Sequence, residues 1–314
     1  MSFYLLGAVF LGWSLGTNDA ANVFGTAVAT RSVKYGIAVI ITAIFVILGA
    51  IISGKPGIDT LRSITQQDIF SAFIVSISAG IVVTIMSSLK LPVSTSQAVI
   101  GGILGVGIIR NGIEWHSLVK IGICWIGTPI GAAIIAFLLY FMIQPLVNRI
   151  TNPVKRNNII KIGLLIAGAG GAYALGANNV ANVIGVFVGE GKGMLNLLNA
   201  TMIGGCAIAF GALTYSKKVM HTVGRNLVVL DSFTALIAVL AEAITVYIYA
   251  IIGVPVSTSQ AIVGAVLGIG ILKGVRTIKI KTLRNILLGW IATPVIAAIV
   301  SSGLFYVIVY AKQL

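Results

Sequence analysis

Two short polar motifs interrupt long apolar stretches of the chain and carry the residues best suited to binding ions. They are residues 16–22, with the sequence GTNDAAN, and residues 176–182, with the sequence GANNVAN. A carboxylate such as that of Asp19 would cost about 2.5–3.5 kcal/mol facing lipid at mid-membrane, so it is expected to face a binding site. Glycine beside Asn or Asp also favours a helix break, which frees backbone groups to line that site. We therefore predict two helices that are broken at these motifs.

The composition of the chain is that of a polytopic membrane protein. Of its 314 residues, 58% are hydrophobic and 9% are charged, and the mean hydropathy is +1.07. A typical soluble protein carries about a quarter charged residues. The net charge of +14 arises from Lys and Arg that lie almost entirely between the apolar stretches. This distribution orients membrane helices, so nucleic acid is not expected as a partner.

An internal duplication is the clearest organisational feature of the sequence. The heptapeptide PVSTSQA occurs at residues 92–98 and again at residues 255–261, and Thr-Pro pairs occur at residues 128–129 and 293–294. These landmarks, and the two polar motifs, recur in one order at nearly one spacing, which indicates duplication of a unit of about five membrane elements. The predicted division is a first repeat at 1–150, a linker at 151–157 and a second repeat at 158–314.

An odd number of elements in each repeat means that the second copy enters the membrane from the opposite side. With the N-terminus outside, 15 of the 21 basic residues fall in inside loops, which favours both termini outside. The predicted fold is therefore an all-α polytopic membrane protein with two inverted-topology repeats of about five membrane elements each. It has broken helices, re-entrant hairpins at 69–109 and 228–272, clean spans at 35–53 and 195–214, and a polar loop at 54–68.

The polar motifs and the two PVSTSQ segments are expected to meet near the membrane midplane. Hydroxyls, amides and helix N-termini suit an oxyanion, and the predicted substrate-binding residues are Asp19, Ser94, Thr95, Ser96, Gln97, Asn179, Ser257, Thr258, Ser259 and Gln260. Carboxylate and amide oxygens suit a hard cation such as Na⁺. No Lys or Arg lies in either motif, so a bound anion would need a co-bound cation.

At these residues the chain resembles the inorganic phosphate transporter family, and the resemblance covers both halves. It implies import of inorganic phosphate coupled to Na⁺ or H⁺, with sulfate carried by some relatives. The family's functional Asp and Asn residues map onto the predicted sodium ligands Asn18, Asp19, Asn22, Asn178 and Asn182. One departure is that Asn179 stands where many relatives have Asp, which leaves a single carboxylate in the two motifs.

Glu242 lies in the middle of an apolar stretch, where the first repeat has Ala79. Two interpretations of this carboxylate are open. It is either a cation ligand or a packing residue whose charge is satisfied by a neighbouring helix.

The predicted function is secondary active import of inorganic phosphate with sodium ions, by alternating access, in the plasma membrane. Sodium ions act as coupling ions with no other cofactor, and a homodimer is expected by analogy with the family. The alternatives are a proton-coupled phosphate permease, a sulfate permease and an anion channel. A channel needs a continuous polar path, whereas polarity here is confined to two short levels in each half. An enzyme is not expected, because neither histidine falls within a membrane stretch to act as a base.

Overall fold

The computed structural model describes residues 2–64, 68–88, 93–110, 112–189, 195–217, 220, 230–274 and 279–311. Within these residues the chain forms α-helices joined by short connections, together with one turn of 3-10 helix at Gly185–Phe187. The α-helices are α1 (Ser2–Ala29), α2 (Tyr35–Ser53), α3 (Lys55–Ile64), α4 (Ile69–Ser88), α5 (Thr95–Arg110), α6 (Trp115–Asn148), α7 (Pro153–Ile184), α8 (Leu197–Tyr215), α9 (Ser232–Ile252), α10 (Thr258–Lys273) and α11 (Ile280–Ala311).

The helices confirm the prediction of an all-α membrane protein. Among the described residues, seven helices are long and apolar enough to cross a membrane, and α5 and α10 are shorter apolar helices. Large apolar side chains on the outer faces of α6 and α11 are exposed, including Ile123, Ile126 and Ile291. Because water penalises such surfaces, these two helices must face lipid or another apolar surface.

The two repeats are interlocked through the packing of their equivalent helices. Helix α1 packs against α8, and its repeat-mate α7 packs against α2. In the same way α5 packs against α11, while α10 packs against α6. Each half therefore completes its core with helices of the other half. The division at 151–157 stays a prediction; α6 ends at Asn148, and Asn152 caps the N-terminus of α7.

The predicted helix breaks at the two polar motifs are wrong, because α1 and α7 run through them without interruption. The glycines that begin the two motifs, Gly16 and Gly176, instead allow neighbouring helices to pack closely. A Cβ atom on Gly16 would lie 1.9 Å from the carbonyl oxygen of Ile208 in α8, and one on Gly176 would lie 2.0 Å from that of Val46 in α2. The helix backbones thus touch at points where only glycine fits. The helical breaks lie at the PVSTSQ segments, between α4 and α5 and between α9 and α10.

Alanine at Gly16 or Gly176 should destabilise the fold, because each Cβ would overlap a backbone atom that cannot move alone. Overpacking of a well-packed interior typically costs about 1–3 kcal/mol, and a backbone clash belongs at the upper end. Gly170→Ala is the matched control, because a Cβ there meets nothing within 4 Å. Thermal unfolding of the purified variants would measure the effect. Equal melting temperatures for all three variants would contradict this packing role.

A helix missed in the sequence analysis lies in the predicted polar loop at 54–68. Helix α3 places Ile58, Leu61 and Ile64 on one buried face, which packs against α7. Pro56 lies in its first turn, where proline is tolerated because the N–H it lacks would have no helical partner. The helix is short and its exposed face is polar, so its apolar periodicity spans too few residues to stand out.

In each of the two helical hairpins, α4–α5 and α9–α10, an ion pair joins the start of the first helix to the end of the second. The two ion pairs are equivalent in the two repeats. Arg110 Nη2 lies 2.5 Å from Asp68 Oδ2, and Lys273 Nζ lies 2.7 Å from Asp231 Oδ2. Partial burial acts to raise the pKa of both carboxyls. Hydrogen bonds from the helix N-terminus and from the basic partner outweigh it, so each pKa lies below its ordinary value. The tip of the first hairpin at 89–92, with Lys90 and Pro92, lies outside the described residues.

Candidate functional site

The two hairpins bring their PVSTSQ segments into direct contact. Ser96 Oγ donates to the carbonyl oxygen of Val256 at 2.8 Å, and Ser259 Oγ donates to that of Val93 at 3.0 Å. Ser96 and Ser259 are repeat-mates, so the two bonds are related by the internal symmetry. The contact therefore joins the two repeats symmetrically, next to the N-termini of α5 and α10.

Helices α5 and α10 both begin at this contact. Ser94 Oγ accepts a hydrogen bond from the Gln97 N–H at 3.3 Å, and Ser257 Oγ accepts one from the Gln260 N–H at 3.2 Å. These are N-caps, which start a helix by satisfying one of its free N–H groups. The positive ends of two helix dipoles therefore meet in the centre of the protein, where they favour an anion.

The polar motif of α1 is linked to the hairpin of the other repeat. Asn22 Nδ2 lies 3.3 Å from Asp19 Oδ1 and 3.2 Å from Thr258 Oγ1. The Asp19 carboxylate also lies close to the hydroxyls of Thr258 and Thr95, but Thr95 Oγ1 makes no hydrogen bond to it. Among the described residues no Lys or Arg forms an ion pair with Asp19.

The polar motif of α7 makes the matching connection in the opposite direction. Asn182 Nδ2 donates to Asn179 Oδ1 at 2.9 Å and lies 2.9 Å from Ser96 Oγ in the first repeat. The two motifs thus have the same internal geometry, with an amide at residue 179 in place of the carboxylate at residue 19. Each motif joins one repeat to the tip of the other.

The first asparagine of each motif holds a hairpin in place. Asn178 donates to the Val254 carbonyl at 3.2 Å and accepts the Val256 N–H at 3.3 Å, so both ends of its amide are engaged. Asn18 Nδ2 lies 2.6 Å from Ser87 Oγ in α4. The assignment of Asn18 and Asn178 as sodium ligands stays a prediction, and these contacts favour a supporting role.

All fourteen predicted site residues are buried, with side chains between 0% and 4% exposed. They are Asn18, Asp19, Asn22, Ser94, Thr95, Ser96, Gln97, Asn178, Asn179, Asn182, Ser257, Thr258, Ser259 and Gln260. These side chains form a buried polar cluster at the centre of the protein, which we call the chamber. Their roles in binding stay predictions.

Several polar atoms in this chamber lack a hydrogen-bond partner. The donors are Thr95 Oγ1 and Asn179 Nδ2, and the acceptors are Gln97 Oε1, Gln260 Oε1 and Asn182 Oδ1. An unsatisfied buried polar group costs about 1–3 kcal/mol, so such a cluster is expected where a ligand binds. Each amide keeps one unmatched end in either orientation of its O and N atoms. Free donors suit an oxyanion and free acceptors suit a hard cation.

Glu242 is the residue whose role the sequence left open. It is fully buried in α9, and it lies close enough to Asp19 for the two carboxylates to interact electrostatically. Its location mid-way along an apolar stretch was the signal that could have identified it. The described residues contain no group of three or more His, Cys, Asp or Glu side chains that could hold a metal ion.

Valine at Thr95 should weaken phosphate binding about 10-fold or more without loss of stability, because a hydrogen bond to a charged group contributes about 1.5–3 kcal/mol. Thr258→Val should weaken binding and also lower the melting temperature, since Asn22 loses a partner. Thr42→Val, in a buried position of α2, is the control. Phosphate titration and thermal unfolding would measure both effects. Unchanged affinity in both site variants would move the anion away from the tips.

The fold and the site together define a multi-pass membrane protein in which two related halves surround one buried polar chamber, the architecture of a secondary transporter. The chain matches the sequence profile of the phosphate transporter family over residues 15–160 and again over residues 147–301. It belongs to this family.

Known relatives and a solved structure agree with this assignment. A protein of Methanocaldococcus jannaschii that carries the name phosphate permease is 33% identical over 302 residues, covering 96% of this chain and 93% of the relative. The sulfate permease CysP of Bacillus subtilis is 27% identical, covering 95% and 85%. A solved structure described as the sodium-dependent phosphate transporter superposes with a TM-score of 0.86 at 22% identity, covering 97% of this chain and 98% of the other. The likeness confirms the predicted transporter fold with its inverted repeats.

Proposed function

We propose that the protein imports inorganic phosphate together with sodium ions by alternating access. The observation that carries this proposal is the set of unmatched donors and acceptors around one carboxylate, with no basic side chain paired to it among the described residues. Phosphate at neutral pH carries one to two negative charges, and Asp19, when ionised, repels it. A cation between Asp19, the asparagine oxygens and phosphate reverses that repulsion. The name of the similar solved structure supports sodium as this cation.

In this proposal the N-termini of α5 and α10, with Thr95 and Thr258, hold the phosphate oxygens. Asp19 and the amide oxygens of Asn22 and Asn182 hold sodium. The buried chamber corresponds to a state between outward and inward opening. One tip contact would separate to open the chamber on one face while the other stays closed, and the internal symmetry makes the two openings similar in energy.

Uptake of radiolabelled phosphate into proteoliposomes tests the proposal directly. Uptake should require an inward sodium gradient, should stop when choline replaces sodium, and should be saturable. Saturation separates a transporter from an anion channel, whose flux rises with concentration. Uptake that follows a proton gradient in sodium-free buffer would replace sodium coupling with proton coupling.

Sulfate is the second candidate substrate, because CysP carries the name sulfate permease and hydroxyl or amide donors suit either oxyanion. The two differ in one respect: phosphate retains a proton that can be donated to an acceptor such as Gln97 Oε1 or Gln260 Oε1, whereas sulfate has none. Excess unlabelled sulfate should therefore compete weakly with phosphate. Strong competition, or faster uptake of labelled sulfate, would assign sulfate as the substrate.

We further propose a plasma-membrane location with both termini outside, and a homodimer as in the family resemblance. Trp115 and Ile280 are exposed first residues of the repeat-mates α6 and α11. In a background without Cys124 and Cys206, Trp115→Cys should react with an impermeant maleimide from outside and Ile280→Cys only from inside. Reaction of both from one side in intact cells would contradict the inverted orientation.

A further inference from the structure

Glu242 lies at the centre of α9 with 0% exposure, and neither of its carboxylate oxygens has a hydrogen-bond partner. An ionised carboxylate in such surroundings is strongly unfavourable unless a counter-charge is bound. Among the described residues no Lys or Arg pairs with it. The packing interpretation left open by the sequence requires a side chain that satisfies this charge, and no described side chain does so.

The position of Glu242 is defined by Gly171 of α7. A Cβ atom on Gly171 would lie 3.1 Å from Glu242 Oε2 and 3.1 Å from Val23 Cγ1 of α1. The carboxylate thus lies where α1, α7 and α9 meet, in the space left by a missing side chain. Val23 is one helical turn beyond Asp19, so Glu242 lies one turn away from the central chamber.

A second unmatched oxygen lies on the same part of α1. Thr26 is three residues beyond Val23, which places both on one face of the helix, and its buried Oγ1 has no hydrogen-bond partner. Thr245, one turn beyond Glu242 in α9, donates its hydroxyl to the Ala241 carbonyl and keeps its oxygen lone pairs. Carboxylate and hydroxyl oxygens are the ligands that hard cations prefer.

The internal symmetry is broken twice, and in compensating ways. The first repeat has a carboxylate at Asp19 and an alanine at Ala79, whereas the second has an amide at Asn179 and a carboxylate at Glu242. Each repeat therefore contributes one buried carboxylate to this region, at a different helix. The second repeat lacks the motif carboxylate but supplies a negative charge one turn away.

We propose that Glu242 is the main ligand of a second sodium site, with Thr26 and Thr245 as its hydroxyl ligands, that loads together with the Asp19 site. The inference rests on the proposed sodium coupling. Two bound sodium ions would offset more of the negative charge of two carboxylates and a phosphate than one would. With this site the protein would bind two sodium ions, although the two motifs together contain a single carboxylate.

Equilibrium binding of radiolabelled sodium to the purified full-length protein, with phosphate present, tests the inference. The variants are Glu242→Gln, Asp19→Asn and the double variant, with Glu114→Gln as a matched control at an exposed position. Glu242→Gln and Asp19→Asn should each lose one sodium ion per chain, and the double variant should lose two. Glu114→Gln should bind as many as the wild type. A wild-type sodium count in Glu242→Gln would overturn the inference and leave the proposed function intact.

Melting temperatures in sodium and in choline distinguish a cation site from a structural role. In choline, Glu242→Gln should melt at or above the wild type, because an unpaired charge has been removed. Added sodium should raise the melting temperature of the wild type more than that of the variant, since binding to the native state stabilises it. An equal sodium-induced rise would reject the site. A wild-type protein that binds no sodium would reject the proposed coupling as well.

Discussion

Replacing Asp19 with asparagine should reduce sodium-driven phosphate uptake by about 100-fold or more. The carboxylate is the only acidic group of the two motifs, and its Oδ1 faces Asn22 in a fully buried chamber. Loss of one partner of a buried charge pair typically costs about 3–5 kcal/mol, and here the lost partner is the ligand of the coupling cation. The fold should tolerate the change, because the equivalent position in α7 is already an uncharged asparagine, Asn179, which accepts the matching hydrogen bond from Asn182.

The measurement is the initial rate of phosphate uptake in proteoliposomes over a range of sodium concentrations. Asp59→Asn is the matched control, since it is the same chemical change at an exposed position of α3, outside the buried chamber. The control should transport at the wild-type rate, and both variants should elute as folded protein in size-exclusion chromatography. Normal transport by Asp19→Asn with unchanged sodium dependence would show that its assigned role is wrong.

Phosphate and sodium should each tighten the binding of the other by the same factor. The donors at the chamber are neutral dipoles, and among the described residues no Lys or Arg forms an ion pair with either nearby acidic side chain, Asp19 or Glu242. Removing phosphate from water without a cation is therefore strongly unfavourable. Linkage requires the two effects to be equal, and coupling between sites typically changes affinity roughly 5- to 150-fold. We expect the upper part of this range because the charges share one buried chamber.

Calorimetric titration of phosphate in sodium buffer and in choline buffer measures the first factor, and titration of sodium with and without phosphate measures the second. Thr42→Val, which lies away from the chamber, should show the same coupling as the wild type. Equal phosphate affinity in sodium and choline would reject sodium coupling. A phosphate affinity that instead rises as pH falls, in choline, would assign the coupling to protons.

The class of the protein and its duplication were both evident from the sequence. Long apolar stretches with few charges specify membrane helices without knowledge of their neighbours, because the lipid environment acts on each stretch separately. The repeated heptapeptide at 92–98 and 255–261 is a direct record of duplication, and the odd number of elements gives the inversion. The polar motifs were identified for the same reason, since buried polar groups in lipid need a purpose.

The meaning of the motif glycines was decided only by tertiary structure. Glycine next to Asn or Asp is compatible with a broken helix and with close helix packing, and the two differ only in what lies opposite. Gly16 and Gly176 meet backbone carbonyls of Ile208 and Val46, which lie far away in sequence. The helices stay intact because their polar side chains find partners on the hairpins, so no backbone group has to be released.

The cross-repeat contacts were likewise outside the reach of sequence. The bonds from Asn22 to Thr258 and from Asn182 to Ser96 join residues more than eighty positions apart, and no local pattern specifies them. Glu242 is the clearest case. By itself it is one acidic residue in an apolar helix, with two interpretations. Its proximity to Asp19 depends on how α9 packs against α1 and α7, because the effect of a buried charge is set by the charges and oxygens that surround it.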